Sequence, residues 1–273
     1  MKIYVQTDLE GVAGVVNFED RGDKSTEGYF HRMRMKELLT GEVNACIEGL
    51  LEMGIEPENI YINDSHGSGY NILFEKLRPG VKIIHGKLTR QPFWLPLLDE
   101  SFSAVVGIGG HPMAGTKFGI LPHTKWDVNG IALGEMGMCA ALAGYFNVPM
   151  IFISGDKAVC EELKKIIPDI ETAVVKSAFS PYTAVSEVPA RACELIKNGV
   201  KKSVERRDNI KPFKIKGPYK MTVISREEEI PDKIFEGDDF YNVVKKALEE
   251  TWLHHPWGIQ TTDIQPSPVD EKT

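Results

Sequence analysis

The sequence predicts an α/β protein: a mostly parallel sheet flanked by helices, with a smaller α+β lobe at the C-terminal end. Short runs of branched apolar residues, bounded by turn formers, recur along the chain as they do in strands buried on both faces. Amphipathic segments of helical period alternate with several of these runs. Such alternation of strand and helix is typical of a parallel sheet covered by helices on both sides.

Six apolar runs are predicted to be strands of the main sheet. The first ends in two acidic residues and two glycines, which is the pattern of a buried strand followed by a loop. The six runs are residues 2–7, 60–62, 81–84, 104–108, 150–153 and 172–175. Apolar residues spaced by three and four, with stop signals behind them, predict helices at 27–53, 135–146, 157–167, 188–206 and from 240 onwards.

The sequence pattern changes near Lys211, within the region expected to form the second lobe. From there to Ile224, apolar and polar residues alternate among prolines and glycines, which indicates antiparallel strands. We therefore expect an α/β domain over residues 1–180 and a smaller α+β lobe over residues 181–273. The tail from Thr261 is polar and has no periodicity, so we expect it either to be mobile or to lie over a neighbouring subunit.

Charge and composition narrow the class of protein. The chain has 32 Lys and Arg against 39 Asp and Glu, a formal net charge of -7, so it offers no broad cationic surface for nucleic acid. No apolar stretch is long enough to cross a bilayer, and the N-terminal residues lack the apolar core of a signal peptide. The four cysteines form no Cys-x-x-Cys pair, which indicates reduced thiols and a cytoplasmic protein.

Polar residues with metal-binding side chains follow several predicted strands. Asp8 and Glu10 follow the first strand, Asp64 and His66 follow the second, and His111 follows the run at 104–108. If these strands are parallel, their carboxyl ends converge on one crevice, which is where α/β sheets bind ligands.

Two further residues complete the candidate site. Glu135 opens the helix behind the glycines at 130 and 134, and His123 lies in the polar loop before it. Each of these residues taken singly has a structural interpretation, as a loop cap, a first-turn acid or a hydrogen-bonded histidine. Brought together, the carboxylates would repel one another unless a cation neutralised them. Carboxylates with imidazoles form a donor set suited to zinc, and also to cobalt, manganese or nickel.

Other patterns are weaker or argue against particular chemistries. His31, His85, His254 and His255 are interpreted as packing or surface residues. The glycines at 107–110 lack the third glycine of a dinucleotide-binding turn, so no nucleotide cofactor is expected. The sequence contains no Gly-x-Ser-x-Gly elbow and no phosphate-binding Gly-Lys-Ser loop, which disfavours serine-triad and P-loop chemistry.

Five short motifs resemble those of the D-aminopeptidase family of DppA type. They occur in that family's order and approximate spacing, and the likeness is strong from residue 1 to about residue 175 and looser beyond. The motifs are Asp8-Leu9-Glu10-Gly11-Val12-Ala13-Gly14, Asn63-Asp64-Ser65-His66, Gly109-Gly110-His111, Pro122-His123-Thr124 and Gly134-Glu135-Met136-Gly137.

This resemblance implies a metallopeptidase with two zinc ions per subunit that releases N-terminal residues from short peptides. It also implies a homodecameric ring with its sites facing an inner channel. By this resemblance, the 1–180 domain binds the metal and Asp8 is the bridging carboxylate. His123 has a catalytic role and is not a metal ligand. The implied metal ligands are Asp8, Glu10, His66, His111 and Glu135.

The chain departs from the family pattern beside His123. Pro122 and Lys125-Trp126 stand where smaller or apolar residues are expected. We expect this segment to line the substrate pocket, and it leaves open whether D- or L-residues are preferred.

Three functions remain open on the sequence. The first is metal-dependent hydrolysis of short peptides, in which Glu10 or Asp64 pairs with the substrate ammonium group. The second is a metal-dependent phosphoesterase, with Lys87, Arg90 or Lys125 holding the phosphate. The third is a non-catalytic protein that binds a peptide or a metal.

Overall fold

The computed structural model describes residues 1–86, 94–227 and 229–252. The helices are α1 Thr26–Glu52, α2 Glu135–Tyr145, α3 Lys157–Ile166, α4 Pro189–Glu205 and α5 Phe240–Thr251. The strands are β1 Ile3–Thr7, β2 Ile60–Asp64, β3 Lys82–Ile84, β4 Ala104–Gly110, β5 Trp126–Val128, β6 Ile131–Leu133, β7 Met150–Asp156, β8 Glu171–Ser180, β9 Thr183–Ser186, β10 Tyr219–Val223 and β11 Lys233–Gly237.

The main sheet has seven strands in the order β3-β2-β1-β4-β7-β8-β9. Neighbouring strands from β3 to β8 are all parallel, and only the edge strand β9 pairs antiparallel, with β8. This arrangement confirms the predicted fold class. The chain winds outwards in one direction from β1 and in the other from β4, so the order of strands reverses between these two. Crevices at such reversals are the usual ligand sites of open α/β sheets.

Helices cover both faces of this sheet. Side chains of successive strand residues point to opposite faces, and in β7 the side chain of Phe152 lies against Gly199 of α4. The next residue, Ile153, lies on the other face with Met136 of α2, where both flank Gly107 of β4. Every residue of β1, β4 and β7 is buried, which explains why these strands are continuous apolar or small-residue runs rather than alternating ones.

A second, antiparallel sheet has the order β11-β10-β5-β6, and α5 packs on β10 and β11. The hairpin of β5 and β6 corrects the sequence analysis, which took residues before Glu135 as a polar loop. Its turn is Asn129-Gly130, both with positive φ, and this dipeptide is a strong hairpin signal. Antiparallel pairing within residues 211–224 begins only at Tyr219, since Pro212, Gly217 and Pro218 interrupt the earlier part.

The division of the chain at residue 180 stays a prediction. Strands of the second sheet come from both sides of that position, and α4, which follows it, packs closely on α1 beside the main sheet. Among the helices of the described ranges, none has the length and apolarity to cross a membrane. The four cysteines are free thiols. Outside the described residues lie the interpretations of Lys87, Arg90, His254 and His255, and of the tail from Thr261.

Candidate metal centre

The ends of β1 and β4 approach so closely that glycine is required. The amide of Asp8 donates to the carbonyl of Ile108 at 2.9 Å, and that of Gly11 donates to the carbonyl of Gly109 at 2.8 Å. A Cβ atom on Gly11 would overlap the carbonyl oxygen of Gly110. Gly109 has a φ of +74°, and a Cβ there would overlap the carbonyl oxygen of Asp8. These contacts bring Asp8 and His111 to the crevice where the strand order reverses.

One group of donor atoms comes from the loops after β1 and β2. The Nδ1 atom of His66 lies 3.2 Å from Oδ1 of Asp8 and 3.2 Å from Oε2 of Glu10. Ligand atoms of these three residues all lie within 4.8 Å of one another, and both carboxylates are buried. The spacing suits a single cation in contact with all three side chains.

A second group comes from the loop after β4 and the first residue of α2. The Nε2 atoms of His111 and His123 lie 3.4 Å and 3.6 Å from Oε1 of Glu135. The two imidazoles are stacked, with ring centroids 3.7 Å apart and planes inclined by 16°. Ligand atoms of these three residues also lie within 4.8 Å of one another.

Asp8 joins the two groups through its two carboxylate oxygens. Oδ1 faces His66, and Oδ2 lies 3.4 Å from Nε2 of His111. Within the described ranges, Oδ2 of Asp8, Oε2 of Glu10 and Nε2 of His111 are buried atoms without a hydrogen-bond partner. Burying such atoms unpaired is costly, and coordination of a metal removes the cost. The donor set therefore fits the metal that the sequence predicts.

The hydrogen bonds behind the imidazoles orient them. Nδ1 of His111 lies 2.9 Å from the carbonyl oxygen of Pro112, and Nδ1 of His123 lies 2.9 Å from that of Leu121. A carbonyl oxygen only accepts, so each Nδ1 carries the proton and donates it. In the neutral form of each ring, Nε2 then has the lone pair that faces the site.

The protein residues of the site perturb one another strongly. Burial opposes ionisation of Glu10, but the nearby imidazoles, His66 foremost, outweigh it and hold the pKa of this carboxyl well below its ordinary value. Burial likewise opposes protonation of His66 and His111, yet the facing carboxylates raise the pKa of His66 well above normal and that of His111 to about 10. The centre thus favours positive charge at the positions that face its carboxylates.

His123 responds in the opposite direction. Burial and the neighbouring His111 both lower its pKa, and they outweigh the opposing effect of Glu10 and Glu135. Its ring also contacts Phe18 edge-on, with centroids 5.3 Å apart. A partly buried, neutral imidazole with an accepting Nε2 is suited to proton transfer.

Three charged residues near the site were not found from the sequence. Nε2 of His66 lies 3.7 Å from Oε2 of Glu19, which pairs with Arg21 at 2.6 Å. Lys176 on β8 and Glu42 on α1 are buried beside the loop that follows β1. Burial lowers the pKa of Lys176 to about 8 against the effect of Glu42 and Asp156. No sequence motif surrounds Glu19 or Glu42. Lys176 lies in strand β8, where its sequence pattern is the same as that of a surface lysine.

The contacts of two neighbouring residues disfavour the roles expected for them from the sequence. Both oxygens of Asp64 accept hydrogen bonds within its own loop, from the backbone amides of Asn71 and Ile72 and from the Asn71 side chain, so Asp64 is a structural anchor. Trp126 does not line an open pocket: it is 2% exposed and packs on Trp94 and Trp252. The metal-ligand and catalytic roles of the other residues stay predictions.

Carboxylates and imidazoles gathered at the switch point of an α/β sheet form the donor set of a divalent-metal centre, a type of site that metal-dependent hydrolases use. A model of the D-aminopeptidase family matches residues 1–237 of the chain. The chain therefore belongs to the D-aminopeptidase family. This membership confirms the predicted metallo-aminopeptidase activity and disfavours the phosphoesterase and the non-catalytic alternatives.

Relatives of known activity agree with this assignment. A D-aminopeptidase of Bacillus subtilis (strain 168) is 30% identical in an alignment of 222 residues that covers 78% of this chain and 77% of the relative. A solved structure, that of the Zn-dependent D-aminopeptidase DppA from Bacillus subtilis, superposes with a TM-score of 0.78 at 25% identity. The superposition covers 92% of this chain and 98% of DppA, which is described as a self-compartmentalizing protease.

Proposed function

We propose that this protein is a zinc-dependent aminopeptidase that removes N-terminal residues, D-residues among them, from short peptides. The centre would hold two ions, and Asp8 would contribute a carboxylate oxygen to each. Glu10 and His66 complete the first site, and His111 and Glu135 complete the second. The observation that carries it is the pair of donor groups joined by the two oxygens of Asp8. Zinc dependence and the D-specific activity are properties of the relative DppA.

The stacking of His111 and His123 supports a role for His123 outside the ligand set. A metal binds imidazole nitrogen in the plane of the ring at about 2.1 Å. The rings of His111 and His123 are nearly parallel and 3.7 Å apart, so their planes meet much farther from the nitrogens than about 2.1 Å. One ion therefore cannot lie in the plane of both rings in this arrangement. His111 touches both Asp8 and Glu135, and we therefore assign it as the ligand.

Bound zinc supplies a water of lowered pKa and polarises the scissile carbonyl. The chain itself supplies proton transfer and orientation. The carbonyl of Leu121 holds the proton on Nδ1 of His123. Nε2 would then accept a proton from the attacking water and deliver it to the leaving amine nitrogen. Because Asp64 is used by its own loop, the carboxylates that can pair with the substrate ammonium group are those of the centre, with Glu10 the candidate.

Assembly and location complete the proposal. The description of DppA as self-compartmentalizing supports a homo-oligomer, for which we propose the homodecameric ring that the family resemblance implies. The free cysteines support the reducing interior of the cytoplasm.

The experiment combines metal analysis with a panel of D- and L-dipeptides. We expect about two zinc ions per chain and release of free amino acid that chelator abolishes and added zinc restores. An aryl phosphate ester, assayed under the same conditions, tests the phosphoesterase alternative and is expected to remain intact. Hydrolysis of dipeptides that survives complete removal of metal would overturn the proposal.

A further inference from the structure

The loop after β1, residues 8–15, carries two of the proposed ligands and has little regular structure to hold it. Its internal hydrogen bonds between backbone groups are two turns, from Val12 to Leu9 and from Val15 to Val12, each of 3.1 Å. Carbonyl oxygens of Glu10, Val12 and Val15 nevertheless converge on one point inside the protein. The group found at that point therefore helps to set the position of this loop, together with the amides of Asp8 and Gly11 that bond to β4.

That group is the ammonium of Lys176. The side chain is 2% exposed, and Nζ lies 2.5 Å from the carbonyl oxygen of Glu10, 2.8 Å from that of Val12 and 2.5 Å from that of Val15. An ammonium group has three N–H donors and no acceptor. The three carbonyls therefore use its hydrogen-bonding capacity completely, on residues more than 160 positions away in the sequence.

Stability alone is a weak reason to bury a lysine. Desolvating an ammonium costs several kcal/mol, and a well-packed apolar side chain often serves the fold as well or better. Lys176 pairs with Asp156 in the register of β7 and β8, so a rigid parallel strand presents it. A second buried residue acts on the same loop: Oε1 of Glu42 accepts the amide of Ala13 at 2.8 Å.

We propose that Lys176 is a positioning residue for the metal centre: by binding three carbonyls of residues 8–15, it fixes where Asp8 and Glu10 present their carboxylates. Glu10 takes part twice, through its carbonyl to Lys176 and through its carboxylate to His66. This inference rests on the proposed metal-binding role of Asp8 and Glu10. Loss of the anchor lets the loop relax, and the cost falls on metal affinity more than on the fold.

The test measures zinc affinity by competition with a chromophoric chelator and measures global unfolding in denaturant separately. Lys176→Met keeps the length of the side chain and removes its three donors. We expect zinc affinity to fall about 10–100-fold, the range for groups that orient metal ligands. The matched control is Val175→Ala on the same strand, a fully buried side chain without a hydrogen-bond donor, which should lose stability and keep the wild-type affinity.

Rescue separates anchoring from packing. Lys176→Ala leaves a space that n-propylammonium matches, and this cation should restore affinity in a concentration-dependent way. Tetramethylammonium, which has charge and no N–H donor, should not. If Lys176→Met does not fold, Lys176→Leu, which also lacks donors, decides: lowered affinity in a folded protein supports the proposal, and unchanged affinity overturns it. Unchanged affinity in folded Lys176→Met also overturns it, whereas a wild-type chain that binds no zinc refutes the proposed function instead.

Discussion

His123 differs in its pKa from the two histidines assigned as ligands. It stacks on His111, and Nδ1 of His123 donates to the carbonyl of Leu121 as Nδ1 of His111 donates to that of Pro112. Burial and the adjacent imidazole lower the pKa of His123, whereas the facing carboxylates raise the pKa values of His66 and His111. At the scale of single residues, the centre therefore separates histidines that face its carboxylates from one that stays neutral and free to exchange a proton.

Replacing His123 by alanine tests this separation. In His123→Ala we expect two zinc ions to remain bound and kcat to fall by about 10²–10⁴-fold, since the variant loses proton transfer and keeps the ligands. Metal content and steady-state kinetics on a dipeptide measure the two effects. His85→Ala, which removes a histidine stacked on Phe74 outside the site, is the control and should leave kcat unchanged. Loss of zinc from His123→Ala would reassign this residue as a ligand.

At the scale of elements, the site depends on how closely β1 and β4 can approach. The glycines at the ends of these strands let the backbones come into contact, and this contact sets the distance between Asp8 and His111. The same glycines occur in the motifs that the sequence analysis used to place the site. Their role is to bring the two donor groups within reach of one bridging carboxylate.

Adding one methyl group at this contact should open the centre. In Gly11→Ala the new Cβ meets the rigid carbonyl of Gly110, so the loop after β1 must shift. We expect a loss of about 1–3 kcal/mol in the free energy of unfolding together with a loss of bound zinc. Gly41→Ala on α1 is the matched control, because its Cβ would lie 3.9 Å from Sγ of Cys193 and a helix gains about 1 kcal/mol from this change. Full zinc occupancy in Gly11→Ala would contradict this account.

At the scale of the whole molecule, buried charge beneath the metal loop makes stability depend on pH. Glu42 is 2% exposed, and burial raises its pKa to about 7 despite the amide of Ala13 and the nearby Lys176. The unfolded chain releases this proton near the ordinary value of 4.5. Between these two values the folded protein binds more protons than the unfolded one, so the contribution of Glu42 to stability falls as pH rises.

Glu42→Gln should remove that dependence. Relative to wild type, the variant should gain up to about 3 kcal/mol in the free energy of unfolding as pH rises from 4.5 to above 7. Denaturant titrations at a series of pH values measure the gap between the two proteins. Glu37→Gln, at an exposed position on the same helix, is the control for a general effect of charge. If the difference in free energy of unfolding from wild type grew equally with pH in both variants, the role assigned to Glu42 would be refuted.

The strand ends of the main sheet could be located from sequence because buried parallel strands are continuous apolar runs, and Asp8 and His111 directly follow two of them. The hairpin after His123 was missed because its strands have three residues each, too short for a periodic pattern. Lys176 and Glu42 were missed for another reason. A charged residue in an amphipathic element has the same pattern whether it meets solvent or the carbonyls and amides of a distant loop, and only the fold distinguishes the two.

The packing of Trp94, Trp126 and Trp252 has an optical consequence. Their ring centroids lie 4.9–6.2 Å apart, and the three residues come from a loop of the main sheet, from β5 and from the residue after α5. They account for three of the four tryptophans in the chain. Excitation energy passes readily between indoles at this separation, so the intrinsic fluorescence of the protein reports chiefly on one junction, where the two sheets meet. The anisotropy of that emission therefore depends on how the two sheets pack against each other, and it can be measured without an attached dye.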